Sequence, residues 1–354
     1  MENEEGRPAP KDPEPVPEHR GKADATRSLA GTLAEPLTTL AGLKRVRGFS
    51  FRALFAEVFG RHAPGDIEEF FTSGSPKTTP PIEEVDTSWP KPWIFFRAFL
   101  ATIVVYLLFN FAYEAFENIT LVPGMIIAGA FVMPLATLIF FIEINVRRNV
   151  SIYQVIKLVV VGGVVSFVFS LILFAASDVF ELDWLGGSIA GFLEEPGKVF
   201  ALLIVASLPR YKYILNGLLF GAAIGAGFSA FETAGYALYA GVAKSDPALM
   251  TTTIFLRGLL SPLGHIAWTA MCGAALWKVK GDRLFRFRML LDLRFLRIFA
   301  IATVLHMIWN APFYIPFFGR YIIVGLIGWV IILGFIGEGL GQLEDEQKGM
   351  ADGR

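Results

Sequence analysis

From Trp93 onward the chain carries eight apolar runs, at about 93–113, 121–143, 155–176, 185–208, 214–241, 251–277, 296–313 and 321–340. A helix rises about 1.5 Å per residue, so a run of roughly 20 residues matches the hydrocarbon thickness of a bilayer. In lipid each backbone polar group must find its partner within the chain, which leaves helices as the way for such runs to cross. The expectation is an all-α polytopic membrane protein, a bundle of about eight transmembrane helices. Composition agrees, because 54% of residues are apolar and 18% charged. A net charge of −1 gives no global attraction to nucleic acid, so none is expected as a partner. The single cysteine, Cys272, cannot form an internal disulfide.

Three regions follow from composition. Residues 1–92 read as a cytoplasmic N-terminal region, mostly disordered or lying on the membrane surface. Its first 28 residues mix five prolines from Pro8 to Pro17 with charges and cannot bury a core. They hold no apolar stretch of the kind a cleavable signal peptide needs. Leu43 to Phe59 then mixes Lys44, Arg45, Arg47 and Arg52 with Phe49, Phe51, Leu54, Phe55, Val58 and Phe59, as a basic amphipathic helix at the membrane surface does. Residues 93–340 form the transmembrane domain, and 341–354 a cytoplasmic C-terminal tail.

Basic residues set the expected orientation. The loops after runs two, four and six hold twelve Lys and Arg: Arg147, Arg148, Lys157, Arg210, Lys212, and seven more between Lys278 and Arg297. The alternate loops hold only Lys244 and Arg320. That bias places both termini of a multi-pass cell-membrane protein in the cytoplasm. The opposite loops are acidic, with Glu114, Glu117, Asp178, Glu181, Asp183 and Asp246.

Run four contains Glu194, Glu195 and Lys198 around Pro196. Each charge at the centre of a bilayer costs about 2.5–3.5 kcal/mol on insertion scales, so three in one span call for a compensating role. Lys198 stands four residues from Glu194 and three from Glu195, and can neutralise only one of them. Pro196 cannot donate to the carbonyl of Phe192, so the helix should bend or open locally beside the carboxylates. Run five places Gly217, Gly221, Gly225, Ser229 and Thr233 on one face, a surface for close helix packing, with Glu232 beside it. His265 lies in run six, and His306 and Asn310 share a face of run seven. Counted from the expected boundaries, these groups reach one depth. Arg97, Arg257, Cys272, Trp268 and Trp309 read as snorkelling or packing residues.

Glutamates, histidines and an amide at one depth can do two things. A carboxylate can activate a water while His and Asn stabilise an oxyanion, or the set can hold a metal. A proton-coupled transporter is the alternative from another class, since broken helices beside buried carboxylates also mark transport sites, and a non-catalytic scaffold is a third.

GFLEEPGK at 191–198, FSAFE at 228–232, SPLGHIAWT around His265 and HMIWN at 306–310 resemble the ordered motifs of PrsW intramembrane proteases, relatives of the type II CAAX prenyl endopeptidases. The resemblance spans about 190–312. It implies peptide-bond hydrolysis of membrane-embedded or juxtamembrane segments, with Glu194, Glu195, Glu232, His265, His306 and Asn310 as catalytic residues and Lys198 supporting them. The second motif carries Glu232 where the CAAX endopeptidases carry His, which argues against prenylated substrates. The family resemblance implies transmembrane protein substrates of the anti-sigma-factor type, with lipid as surroundings. The expected route is a glutamate-activated water without a cofactor. Zinc is the alternative, held by Glu194, Glu195, Glu232, His265 and His306.

Overall fold

The computed structural model describes residues 34–43, 49–63, 65–177 and 186–352. All eight apolar runs are helical, and among the described residues there is no strand. The bundle consists of α1 (Ile94–Phe116), α2 (Val122–Ile144), α3 (Ile152–Ser177), α4 (Ile189–Ala206), α5 (Ile214–Leu238), α6 (Pro247–Leu260), α7 (His265–Lys280), α8 (Leu293–Asn310) and α9 (Gly319–Asp352). Among the described residues, seven segments are long and apolar enough to cross a membrane. The eighth run is α4, whose 18 residues contain Glu194, Glu195 and Lys198. Those three charges are what set α4 apart from the other seven.

Run six is two helices rather than one. A 3-10 turn at Ser261–Leu263 and Gly264 separate α6 from α7, because Pro262 has no N–H to continue the α-helical ladder. The last run is longer than its apolar stretch, since α9 continues to Asp352. Gln347 near its end donates to the carbonyls of Ile82 and Val85 at 2.7 and 2.8 Å, tying the N-terminal region to the bundle.

The continuous amphipathic helix expected over Leu43–Phe59 is not formed. Ser50 caps a single turn, Phe51–Leu54, and turns follow to Phe59. Lys44, Arg45 and Arg47 lie outside the described residues, as do residues 1–28 and the acidic group Asp178, Glu181 and Asp183.

Helix α5 is the axis of the bundle. In the span Ile214–Ala243, 94% of the most apolar window is buried within the protein, against 11% for α1, which faces outward. The small-residue stripe explains how α7 comes so close. A Cβ added at Gly221 would stand 2.1 Å from the carbonyl oxygen of Thr269, and one at Gly225 would stand 2.6 Å from that of His265. Gly217 and Gly273 face each other in the same way. The two helices are antiparallel in this register, so the last turns of α5 lie beside the start of α7 and the end of α6. That places Glu232 and Thr233 next to His265 and Arg257.

One buried carboxylate serves the fold alone. Glu143, at the end of α2, accepts hydrogen bonds from the backbone N–H groups of Trp93, Ile94 and Phe95 at 2.8, 2.9 and 2.9 Å. The first turn of a helix leaves its N–H groups without intrahelical partners and carries partial positive charge, and Glu143 satisfies both.

Candidate active site

Four helices bring the sequence candidates to one place. Glu194, Glu195 and Lys198 come from α4, Glu232 from α5, His265 from the first turn of α7 and His306 from α8. All but Glu232 are buried, and the Glu232 side chain is 12% exposed. Asn310 stands one turn beyond His306 and lines a cavity of about 460 Å³ rather than joining the ionic network. Pro196 sits inside α4, which continues as helix through it.

Lys198 is the centre of the cluster. Its ammonium donates to Glu195 Oε1 at 2.7 Å, to Glu194 Oε2 at 3.4 Å and to His265 Nδ1 at 2.8 Å, and lies 4.3 Å from the ring centre of Phe228. An ammonium has no lone pair to offer, so His265 Nδ1 must be the acceptor. A neutral ring then carries its proton on Nε2, which donates to Glu232 Oε2 at 2.9 Å. The same reasoning fixes the second imidazole. His306 Nδ1 lies 2.9 Å from Glu195 Oε1; an ionised carboxylate only accepts, so Nδ1–H donates and Nε2 keeps its lone pair. Trp268 stacks on this ring at 4.4 Å and holds its plane.

Glu232 has a second partner that the sequence reading assigned to snorkelling. Arg257 Nη2 stands 2.5 Å from Glu232 Oε2, and its Nε donates to Thr233 Oγ1 at 3.4 Å. The sequence held a signal for it. Three buried carboxylates against one lysine call for a further cation, and Arg257 lies within an apolar run. With it the cluster holds three carboxylates and two fixed cations, one positive charge short of neutrality.

Glu194 is placed differently from the other two carboxylates. Its Oε2 lies 3.8 Å from His306 Nε2 and 3.9 Å from His265 Nδ1, too far for direct hydrogen bonds and close enough for one shared atom between them. Donor atoms of Glu194, His265 and His306 all lie within 4.8 Å of one another. Tetrahedral zinc with bonds of about 2.0–2.2 Å keeps its ligands roughly 3.3–3.5 Å apart, so a small contraction would suit it. Each of the two rings gives its outer N–H to a carboxylate, Glu195 or Glu232, as metal-bound histidines do. This set is therefore smaller than the five-residue set expected from sequence. Glu195 and Glu232 face the outer nitrogens of the rings.

A model of the PrsW family intramembrane metalloproteases matches residues 149–336, more than half of the chain. The chain belongs to the PrsW family. The matched region begins just before α3 and ends within α9, and so contains all four helices of the cluster. This member is an intramembrane protease, a multi-pass membrane hydrolase acting on peptide bonds, and its substrates are membrane proteins. No curated protein and no solved structure matches the chain. The transporter and scaffold alternatives lose their ground with this assignment.

The cavity reaches the cluster from the side where α5 ends and α6 and α9 begin. His265, Arg257 and Asn310 are part of its lining, and Tyr236, Tyr239, Trp309, Phe318 and Tyr321 give it aromatic walls. It is wide enough for several side chains of an extended segment.

Proposed function

We propose that this PrsW member cleaves membrane-embedded or juxtamembrane protein segments by a water activated at Glu194. The observation that carries the proposal is the position of Glu194 Oε2, at one-atom distance from the free lone pair of His306 Nε2 and beside His265 Nδ1, which accepts from Lys198. A water between them gives one proton to Glu194 while its oxygen attacks the carbonyl carbon. The C–N bond then breaks, and the proton held by Glu194 passes to the leaving nitrogen. Glu195 holds His306 in the tautomer that leaves Nε2 free, and Glu232 holds His265 in the tautomer whose Nδ1 accepts from Lys198. Lys198 and Arg257 keep these two carboxylates ionised partners rather than competitors for the water's proton. Asn310, at the cavity wall one turn from His306, is positioned to donate its amide to the substrate carbonyl.

The donor set Glu194, His265 and His306 also fits a metal ion, which the family's description as metalloproteases implies. A divalent ion there would supply Lewis-acid polarisation and a water that ionises near neutral pH. The Lys198 ammonium stands 2.8 Å from His265 Nδ1 and 3.4 Å from Glu194 Oε2, so it competes for the same lone pairs. The glutamate reading is preferred because a single proton neutralises the cluster as it stands. Elemental analysis of purified protein, with cleavage of a transmembrane reporter measured before and after chelation, separates the two. Substoichiometric metal and full activity after chelation are expected. One bound zinc, with activity lost on chelation and restored by zinc, would establish the metal route instead.

The substrate class the resemblance implies is a membrane-anchored regulator of the anti-sigma-factor type, and the aromatic cavity suits an apolar segment of such a protein. We also propose cytoplasmic termini, with the region 1–92 and the tail from 341 on the same side as the twelve basic residues. Cys272 is fully buried, so a cysteine introduced in a loop can be labelled selectively. Arg286→Cys should react with an impermeant thiol reagent only after permeabilisation, and Lys244→Cys in intact cells. The reverse pattern would invert the topology.

A further inference from the structure

Away from the catalytic cluster, a second polar cavity lies where α2 and α4 end and α5 begins. It has a volume of about 360 Å³ and is lined by Arg147, Arg210, Lys212, Asn149 and Tyr213, with the proline segment Pro80–Pro81 as part of its wall. Three cations line this cavity, and among the described residues the only carboxylate paired with any of them is Glu346, 2.8 Å from Lys212. Arg147 gives one guanidinium nitrogen to the carbonyl of Pro80, and its buried Nε has no hydrogen-bond partner among the described residues. Arg210 bonds the hydroxyl of Tyr211 and stacks 4.5 Å from that ring, without a carboxylate among the described residues. The cavity thus holds two guanidinium groups without an acidic partner among the described residues.

The walls are fixed in position. Asn149 is held in a buried amide network, exchanging hydrogen bonds with Asn216 at 2.6 and 3.2 Å while Asn216 also donates to Asn145 at 3.1 Å. Apolar side chains next to the cavity in sequence face outward: Tyr153 and Ile156 at the start of α3, and Leu208 just after α4. The cavity therefore sits at the level where α3 and α4 leave the hydrocarbon, which is the depth of lipid headgroups. Guanidinium groups match phosphate oxygens with paired N–H donors, and basic groups at that depth attract anionic lipid.

We propose that this cavity is a binding site for the phosphate of an anionic phospholipid headgroup, held by Arg147, Arg210 and Lys212. The site is independent of the catalytic reading. It joins the N-terminal region, through Pro80, to the ends of α2 and α4, so an occupied site would fasten that region to the bundle.

The test uses the full-length chain, delipidated in detergent and titrated with dioctanoyl phosphatidylglycerol, dioctanoyl phosphatidylcholine or inorganic phosphate, with melting temperature as the readout. Phosphatidylglycerol should raise the melting temperature saturably, and phosphatidylcholine should not. Inorganic phosphate should act only at concentrations at least tenfold higher. Arg210→Gln should weaken the phosphatidylglycerol response at least about fivefold, with Arg210→Lys intermediate. Lys212→Gln provides the reading if Arg210→Gln does not fold, and should weaken the response in the same direction. Equal responses to the two lipids, or an unchanged response in the folded variants, would overturn the proposal. Inorganic phosphate acting as well as the lipid would overturn it in favour of a soluble phosphate ligand.

Discussion

Glu194→Gln should lower cleavage of a transmembrane reporter at least about 100-fold, the lower end of what a positioned acid–base group contributes. That corresponds to about 2.7 kcal/mol of transition-state stabilisation. The amide keeps the shape of the carboxylate but cannot take a proton from water. Stability should hold, because the cluster carries three carboxylates against Lys198 and Arg257, and removing one negative charge brings it to neutrality. Glu195→Gln should also lose at least about 100-fold, by another route. Its oxygen still accepts from His306, but the charge that holds Lys198 at 2.7 Å is gone, and the ammonium is left to Glu194, the group that must receive the proton. His306→Ala and His265→Ala should lose activity as well, and Asn310→Ala less, since its amide stands at the cavity wall. Measuring rate and melting temperature on the same preparations separates chemistry from folding. If both glutamine variants cleaved at near wild-type rate, the carboxylate pair would be structural and the proposed mechanism would fail at its first step.

Much of this site was legible because membrane burial makes charge conspicuous. Glu194, Glu195, Glu232, His265 and His306 stood out as polar groups in apolar runs, and counting residues from the run ends brought them to one depth. The pairings were less accessible. Lys198 lies three and four residues from its two glutamates, a spacing that lets it neutralise one of them, but its contact with His265 spans 67 residues and depends on how α4 meets α7. Arg257 was read as a snorkelling side chain because its partner Glu232 lies on another helix. The glycine stripe on α5 announced close packing without naming α7 as the neighbour. Glu143 was missed for a different reason. Its partners are backbone N–H groups, which sequence does not mark. The basic helix over Leu43–Phe59 was over-read, since mixed phenylalanine and arginine also suit short turns packed on a bundle.

Gly221→Ala tests the packing on which the site depends, and its effect should be large for a single added methyl group. The new Cβ would lie 2.1 Å from the Thr269 carbonyl oxygen and 2.6 Å from its carbon. Those atoms belong to the backbone of α7, so no side-chain rotation relieves the contact, and α5 and α7 must move apart. Overpacking of a well-filled core typically costs about 1–3 kcal/mol, and a backbone clash lies at or above the upper end of that range. The separation also acts on chemistry, because α5 carries Glu232 and α7 carries His265, whose contact of 2.9 Å fixes the imidazole tautomer. Gly235→Ala is the matched control. It lies on the same helix with nothing within 4 Å of its added Cβ, so the higher helix propensity of alanine should leave stability unchanged or raised. Melting curves in detergent should therefore show a large drop for Gly221→Ala and none for Gly235→Ala. Reporter cleavage should fall with the first variant even at temperatures where it remains folded. Equal melting temperatures for the two variants would mean that α5 and α7 are not in contact through this stripe, and the placement of Glu232 beside His265 would lose its support.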